Sequence, residues 1–136
     1  MPFILGSLEH LQPLIEVSVG RADGAERRMG RALIDTGATR TCVSRRFVDE
    51  LALEPRGRML IQAARGYAAR QMAYAFTLGL ACRPNEAAEQ DTFYVFDQEF
   101  AAPFIEDNDS CDVLIGMDLI STGRLTIDRL TFRFDF

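Results

Sequence analysis

A chain of 136 residues, 48% hydrophobic and 26% charged, has the length and profile of one ordinary soluble domain with its own core. Fifteen Lys and Arg against twenty Asp and Glu leave a formal charge of −5, which argues against nucleic acid as the main partner. No apolar run is long enough to span a bilayer, and the opening MPFILGSLEH lacks the basic region of a secretory signal. The expectation is therefore a cytoplasmic protein without a membrane partner.

Leu14 to Val19 (LIEVSV) alternates apolar and polar residues, which predicts a half-buried strand. Asp23-Gly24 signals a turn, and Arg28 to Ile34 reads as the returning strand, so this hairpin delivers Asp35 at its end. After Asp-Thr-Gly-Ala-Thr, a short strand is expected over Thr41 to Val43. Ser44 can cap a helix over Arg45 to Leu51, with Phe47, Val48 and Leu51 on one face. Pro55 and Gly57 close this section.

Two arms then flank Arg65-Gly66. Met72, Tyr74, Phe76, Leu78 and Leu80 keep strict period two, which predicts a strand for the second arm. The alanines of the first arm suit a helix as well as a strand. Arg83 to Gln90 is a polar loop, Thr92 to Phe96 (TFYVF) a strand, and an irregular segment runs through Pro103 to Ser110. Cys111 to Ile115 (CDVLI) reads as a short buried strand stopped by Gly116. One or two helical turns follow over Asp118 to Thr122, terminated by Gly123. Leu125 and Ile127 alternate on another strand.

The chain closes on LTFRFDF, with Leu130, Phe132, Phe134 and Phe136 on one face. That face can cover the domain's own core, or it can form a sheet shared with a second chain. Many short strands and few helical residues indicate a mainly β domain over residues 1–136, without internal repeats.

The three cysteines, Cys42, Cys82 and Cys111, are odd in number and not closely spaced, so neither a disulfide framework nor a zinc site is expected. His10 is the one histidine, and EHLQPL suggests that it is solvated. Histidine-based hydrolysis is thereby disfavoured, and carboxylates are left as the candidates for catalysis. The acidic run DNDSCDVLIGMD (Asp107, Asp109, Asp112, Asp118) does not make a calcium loop. Asp112 stands where that loop needs glycine, and Asp118 where it needs glutamate. The run is expected to be a solvated loop, and no metal is expected.

The stretch ALIDTGATRTCVS (Ala32–Ser44) resembles the active-site loop of the retropepsin-like aspartic proteases, in which apolar residues precede Asp-Thr/Ser-Gly-Ala. A second stretch, VLIGMDLI (Val113–Ile120), resembles the later apolar-apolar-Gly element and short helix of that family, and RLTID fits the strand expected next. Order, spacing and flanks agree from about Leu14 onward. The resemblance implies a retropepsin-like acid-protease half of closed β-barrel type with one or two short helices. It also implies an aspartic endopeptidase that needs no cofactor and acts on a peptide or protein substrate.

By this resemblance Asp35 is the catalytic carboxylate. Thr36 would hydrogen-bond across to its counterpart, Gly37 would let backbones approach closely, and Ala38 would keep the floor of the site low. Leu114 and Ile115 would give apolar support behind the loop, and Gly116 would permit packing there. Residues 62–69 occupy the position of the family's flap, with Gln62, Ala63, Arg65, Gly66 and Tyr67 as substrate-binding candidates. The same stretch also suits an ordinary surface hairpin.

Chemistry of this kind needs two carboxylates sharing a proton, and the sequence holds only one Asp-Thr-Gly. The resemblance resolves this with a symmetric homodimer, each chain supplying one Asp35. Phe132, Phe134 and Phe136 then become dimer-interface candidates.

Two departures set this sequence nearer the cellular and bacterial single-domain members than the viral ones. The acidic residue usual after the loop and the arginine usual after the later glycine are both missing. Thr39-Arg40 and Met117-Asp118 stand there instead, so the loop must be braced otherwise. The competing function is a catalytically silent dimerisation or peptide-binding module of the same fold. The retained Asp-Thr-Gly favours the enzyme, since a binding module has no need of an acid there.

Overall fold

In the computed structural model, residues 1–62 and 68–136 are described. Ala63, Arg65, Gly66 and Tyr67 lie outside the described residues, and Gln62 is described by its backbone alone. The strands in chain order are β1 (Phe3–Ser7), β2 (Leu14–Gly20), β3 (Arg27–Ile34), β4 (Cys42–Val43), β5 (Pro55–Gln62) and β6 (Ala68–Cys82). They continue with β7 (Thr92–Val95), β8 (Phe100–Ala102), β9 (Val113–Ile115), β10 (Arg124–Asp128) and β11 (Thr131–Asp135). Helix α1 (Arg45–Leu51) follows β4, and α2 (Met117–Ile120) follows β9.

The alternation in LIEVSV becomes β2, which pairs antiparallel with β3 from Leu14↔Leu33 to Gly20↔Arg27. The long, period-two strand β6 lies on the other side of β2, with Val17 opposite Leu80 and Val19 opposite Leu78. Val17, Val19, Phe76, Leu78 and Leu80 are fully buried, the outcome expected where alternation turns one face of each strand inward. Helix α1 covers this core with Phe47, Val48 and Leu51, the face expected from their spacing. Ser44 caps it through its backbone only: its carbonyl accepts from the Val48 N–H, while its hydroxyl caps nothing.

Strand β9 joins the sheet beside β3 in parallel, Ala32↔Val113 through Ile34↔Ile115. Since parallel neighbours need a long crossover, everything from β4 to β8 lies between these two partners in the chain. The larger sheet runs β4-β9-β3-β2-β6-β5, with β7 and β8 also on β6, and a smaller one runs β1-β11-β10. Both sheets are open. The closed barrel expected from the resemblance is not formed, because the end strands β4 and β5 do not pair with each other. Strand β4 offers only two residues, and the part of β6 that pairs with β5 is exposed from Ala68 to Met72, beyond the core.

Other differences from the sequence reading have local causes. Pro55 and Gly57 do not end a segment; they begin β5, where a register shift between Pro55 and Arg58 absorbs the glycine's φ of 86°. Pairing with β6 makes the first arm extended up to Gln62. Strands β1 and β8, unexpected from sequence, are edge pieces that pair with β11 and β6 respectively. Helix α2 begins at Met117, one residue earlier than expected.

Of the two uses open to the terminal phenylalanines, the structure shows the first. Phe132 and Phe134 are 3% and 0% exposed within the chain's own core. Phe136 is half-buried and packs on Phe134, Phe96 and Tyr94. Since β11 lies between β1 and β10, neither of its edges is free to pair with a second chain. Leu130, expected on the same face, is instead 63% exposed, in the turn where Arg129 has a φ of 58°.

Truncating a fully buried aromatic removes its transfer energy and leaves a cavity. Phe134→Ala is expected to cost about 3–5 kcal/mol of stability, measured as a lower midpoint of urea unfolding at unchanged slope.

Candidate active site

The parallel pairing of β3 and β9 does not stop with the strands. The Asp35 N–H donates to the Ile115 carbonyl at 2.9 Å, so the acid leaves the sheet in a fixed position. The chain then turns tightly: Ala38 N–H donates to the Asp35 carbonyl at 3.1 Å, and Gly37 N–H donates to Asp35 Oδ1 at 2.9 Å. A Cβ at Gly37 would stand 3.2 Å from that same oxygen, tighter than most real contacts, so a bare glycine suits the position. Asp35 and Ala38 are half-buried, whereas Thr36 and Gly37 are exposed. A carboxylate is thus presented at an open loop tip, one of its oxygens held by the loop's own backbone.

The second motif lies directly behind. Ile115 is fully buried and Leu114 half-buried, the latter between Leu33 and Cys42 in the sheet. A Cβ on Gly116 would lie 2.5 Å from the Arg40 carbonyl carbon, so the loop packs on this glycine more closely than any side chain would allow. Met117 N–H donates to the Ala38 carbonyl at 2.8 Å, and Asp118 N–H donates to the Thr39 carbonyl at 3.2 Å.

The missing acid–arginine pair has a neutral-donor replacement. The Thr41 N–H lies 3.0 Å from both carboxylate oxygens of Asp118, and the Thr41 hydroxyl donates to Asp118 Oδ1 at 2.7 Å. Leu119 N–H donates to the same Oδ1 at 2.9 Å, and Gly116 N–H donates to the Thr41 hydroxyl at 3.1 Å. Thr41, 1% exposed, is one of three buried polar residues among those described. Sequence reasoning missed both Thr41 and Asp118 as parts of the site. The available signal is Asp118 itself, an acid two residues after the glycine in the segment where the resembled family carries an arginine.

The acidic run before β9 is less solvated than expected. Asp107 accepts from the Arg46 N–H at 2.9 Å; Asp112 accepts from the Arg31 N–H at 3.0 Å and pairs with the Arg46 side chain. These carboxylates tie a loop to β3 and α1. Among the described residues no three His, Cys, Asp or Glu side chains converge as metal ligands.

Thiol and imidazole chemistry find no support. All three cysteines are free. Burial pushes the Cys42 thiol up to about 12, helped by the charges of Asp118, Cys111 and Asp35, and burial also raises Cys82 and Cys111. His10 is exposed in a turn with a φ of 50°. Of the flap candidates, Gln62 ends β5 opposite Ala68.

A family model described as Aspartyl protease matches residues 16–119, a span that holds both the Asp35 loop and the Gly116–Leu119 segment. Among solved structures, the chain is similar to a retropepsin-like aspartic protease from Rickettsia conorii. The likeness covers 97% of this chain and 89% of that one, at 15% identity and a TM-score of 0.52, and is one of fold. A comparison with curated proteins gives no match. Among the described residues no helix is long and apolar enough to cross a membrane.

Two outcomes follow from the geometry. Gly116→Ala forces a methyl into the Arg40 backbone and is expected to cost about 1–3 kcal/mol, read as a lower melting temperature. The Cys42 thiol, raised by folding above the ordinary value of 9.0, should resist alkylation in the native protein at neutral and mildly alkaline pH and react once urea unfolds the chain. The sign of the linkage is that the unfolded thiol ionises first, so its contribution to stability is lost as pH rises past about 9.

Proposed function

Because the chain belongs to the aspartyl protease family, we propose that it is an aspartic endopeptidase working as a symmetric homodimer, with a water activated between two Asp35 carboxylates, one from each chain. The observation that carries this reading is the presentation of Asp35. Its backbone is locked to Ile115, its Oδ1 is held by Gly37, and the loop tip formed by Thr36 and Gly37 faces outward. A second copy related by a two-fold axis through that tip would set carboxylate against carboxylate.

Among the described residues, the other carboxylate bound to this loop is Asp118, which accepts from Thr41 and Leu119. It is engaged by structural donors, which supports a partner acid supplied by a second copy of the chain.

Two carboxylates held that close cannot both ionise, so one keeps a proton and the pair acts as acid and base together. The base takes a proton from the bound water as it attacks the scissile carbonyl carbon. The acid gives its proton toward the carbonyl oxygen, and collapse of the tetrahedral adduct returns a proton to the leaving amine. The exposed Thr36 would bond across to the partner loop, and Ala38 would floor the cleft. Residues 62–69, at the family's flap position by resemblance, would close over the peptide and exclude water. No cofactor is required, and the cytoplasm is the proposed compartment.

The test is cleavage of a mixed peptide library by wild type and Asp35→Asn. The variant should fold normally, since an amide oxygen can still accept from the Gly37 N–H, and should lose at least about 100-fold in kcat/KM. Wild-type specific activity should rise with protein concentration as dimer forms. Equal cleavage by both proteins would sink the carboxylate mechanism. A folded wild type that binds peptides but never cuts them would support the silent binding module.

A further inference from the structure

Asp118 has no ion-pair partner among the described residues, yet its carboxylate collects three donated hydrogen bonds, from the Thr41 N–H, the Thr41 hydroxyl and the Leu119 N–H. The residue itself is exposed, and its carboxylate bonds to a hydroxyl whose own residue is 1% exposed. That hydroxyl accepts from the Gly116 N–H, at the glycine packed against the Arg40 backbone. Asp118 and Thr41 therefore close a ring of contacts. It runs from Asp35 along the loop to Thr41, across to Asp118 and Gly116, and back through Ile115 to the Asp35 N–H.

We infer that Asp118 is a positioning residue of the active site: acting through Thr41, its carboxylate holds the loop that carries Asp35 at the height and angle the opposing carboxylate requires. This rests on the dimeric protease reading of the site. The charge matters to the geometry. The Thr41 N–H stands equally, at 3.0 Å, from both oxygens, so neither oxygen can become a donor without facing another donor. An amide at this position would set its NH2 against that N–H or surrender the hydroxyl bond. The loop's remaining ties, Met117 to Ala38 and residue 118 to Thr39, are backbone bonds that survive the change. Asp118→Asn is therefore expected to leave the fold in place and let the loop shift. A catalytic pair is sensitive to displacements of this size: errors of about 1 Å can cost about 100-fold in rate.

The experiment compares wild type, Asp118→Asn, Thr41→Val, Thr41→Ser and the double variant Asp118→Asn/Thr41→Val. Each is assayed at saturating substrate, well below its melting temperature and at concentrations where sedimentation shows dimer. The expected result is a kcat about 10- to 100-fold lower in Asp118→Asn and Thr41→Val, with KM changed less than about twofold. The double variant should be no worse than the weaker single one, because the two side chains act as one unit. Thr41→Ser, which keeps the hydroxyl, should restore most of the rate. A residue that merely stabilised the fold would lower the melting temperature and leave kcat per folded dimer intact, and that result would overturn the inference. So would additive losses in the double variant. Absence of any Asp35-dependent cleavage by the wild type is a different failure: it would remove the protease reading, and this role with it.

Discussion

Three residue pairs, Ala32↔Val113, Leu33↔Leu114 and Ile34↔Ile115, carry the rest of this molecule. They are the parallel contact between the strand that leads into Asp35 and the strand that leads into Gly116. Without it the Asp-Thr-Gly loop would hang from the open end of the β2–β3 hairpin, and the later glycine would belong to an unrelated turn. With it, the backbone ladder extends one step beyond the sheet, Asp35 to Ile115, and the acid inherits the rigidity of a buried strand pair. On one face of this pair Ala32, Ile34, Val113 and Ile115 are all buried, and on the other Leu33 and Leu114 are half-buried.

The loop on top of that contact combines two requirements that pull against each other. In the proposed protease the Asp35 carboxylate has to be open to substrate, yet a mobile one is of little use. The chain meets the first by turning Thr36 and Gly37 outward, and the second from behind, with backbone bonds to Met117 and Asp118 and the Thr41–Asp118 contact. A brace made of hydroxyl and N–H donors to one carboxylate does locally what an arginine–carboxylate pair would do with a longer side chain. Gly116 sets the distance, because the loop backbone rests where its side chain would be.

Much of the local structure was legible from residue order. Helix α1 spans Arg45–Leu51, the residues its apolar spacing marks, β2 and β6 follow their period-two patterns, and β3 returns from the Asp23-Gly24 turn as that signal marks. Short pairings at the edges were not legible. Strands β1 and β8 carry too few residues to show a period, and they are extended because β11 and β6 offer them partners. The terminal phenylalanines were ambiguous for a related reason: an apolar face reads the same whether its cover comes from its own chain or another. Placement of β11 between β1 and β10 resolved it.

The sequence by itself determined the chemistry on offer: one Asp-Thr-Gly, one solvated histidine, no clustered cysteines, and a second apolar-Gly motif that marked the partner segment. Those are properties of residue identity and short-range order, which one chain states directly. Only the tertiary structure decided that the sheets stay open, that Phe132 and Phe134 lie inside, and that Asp118 reaches back to Thr41 across 77 positions of chain. Each of these depends on which distant segment comes to lie alongside. Such adjacency follows from packing the whole core and not from the local preference of any residue.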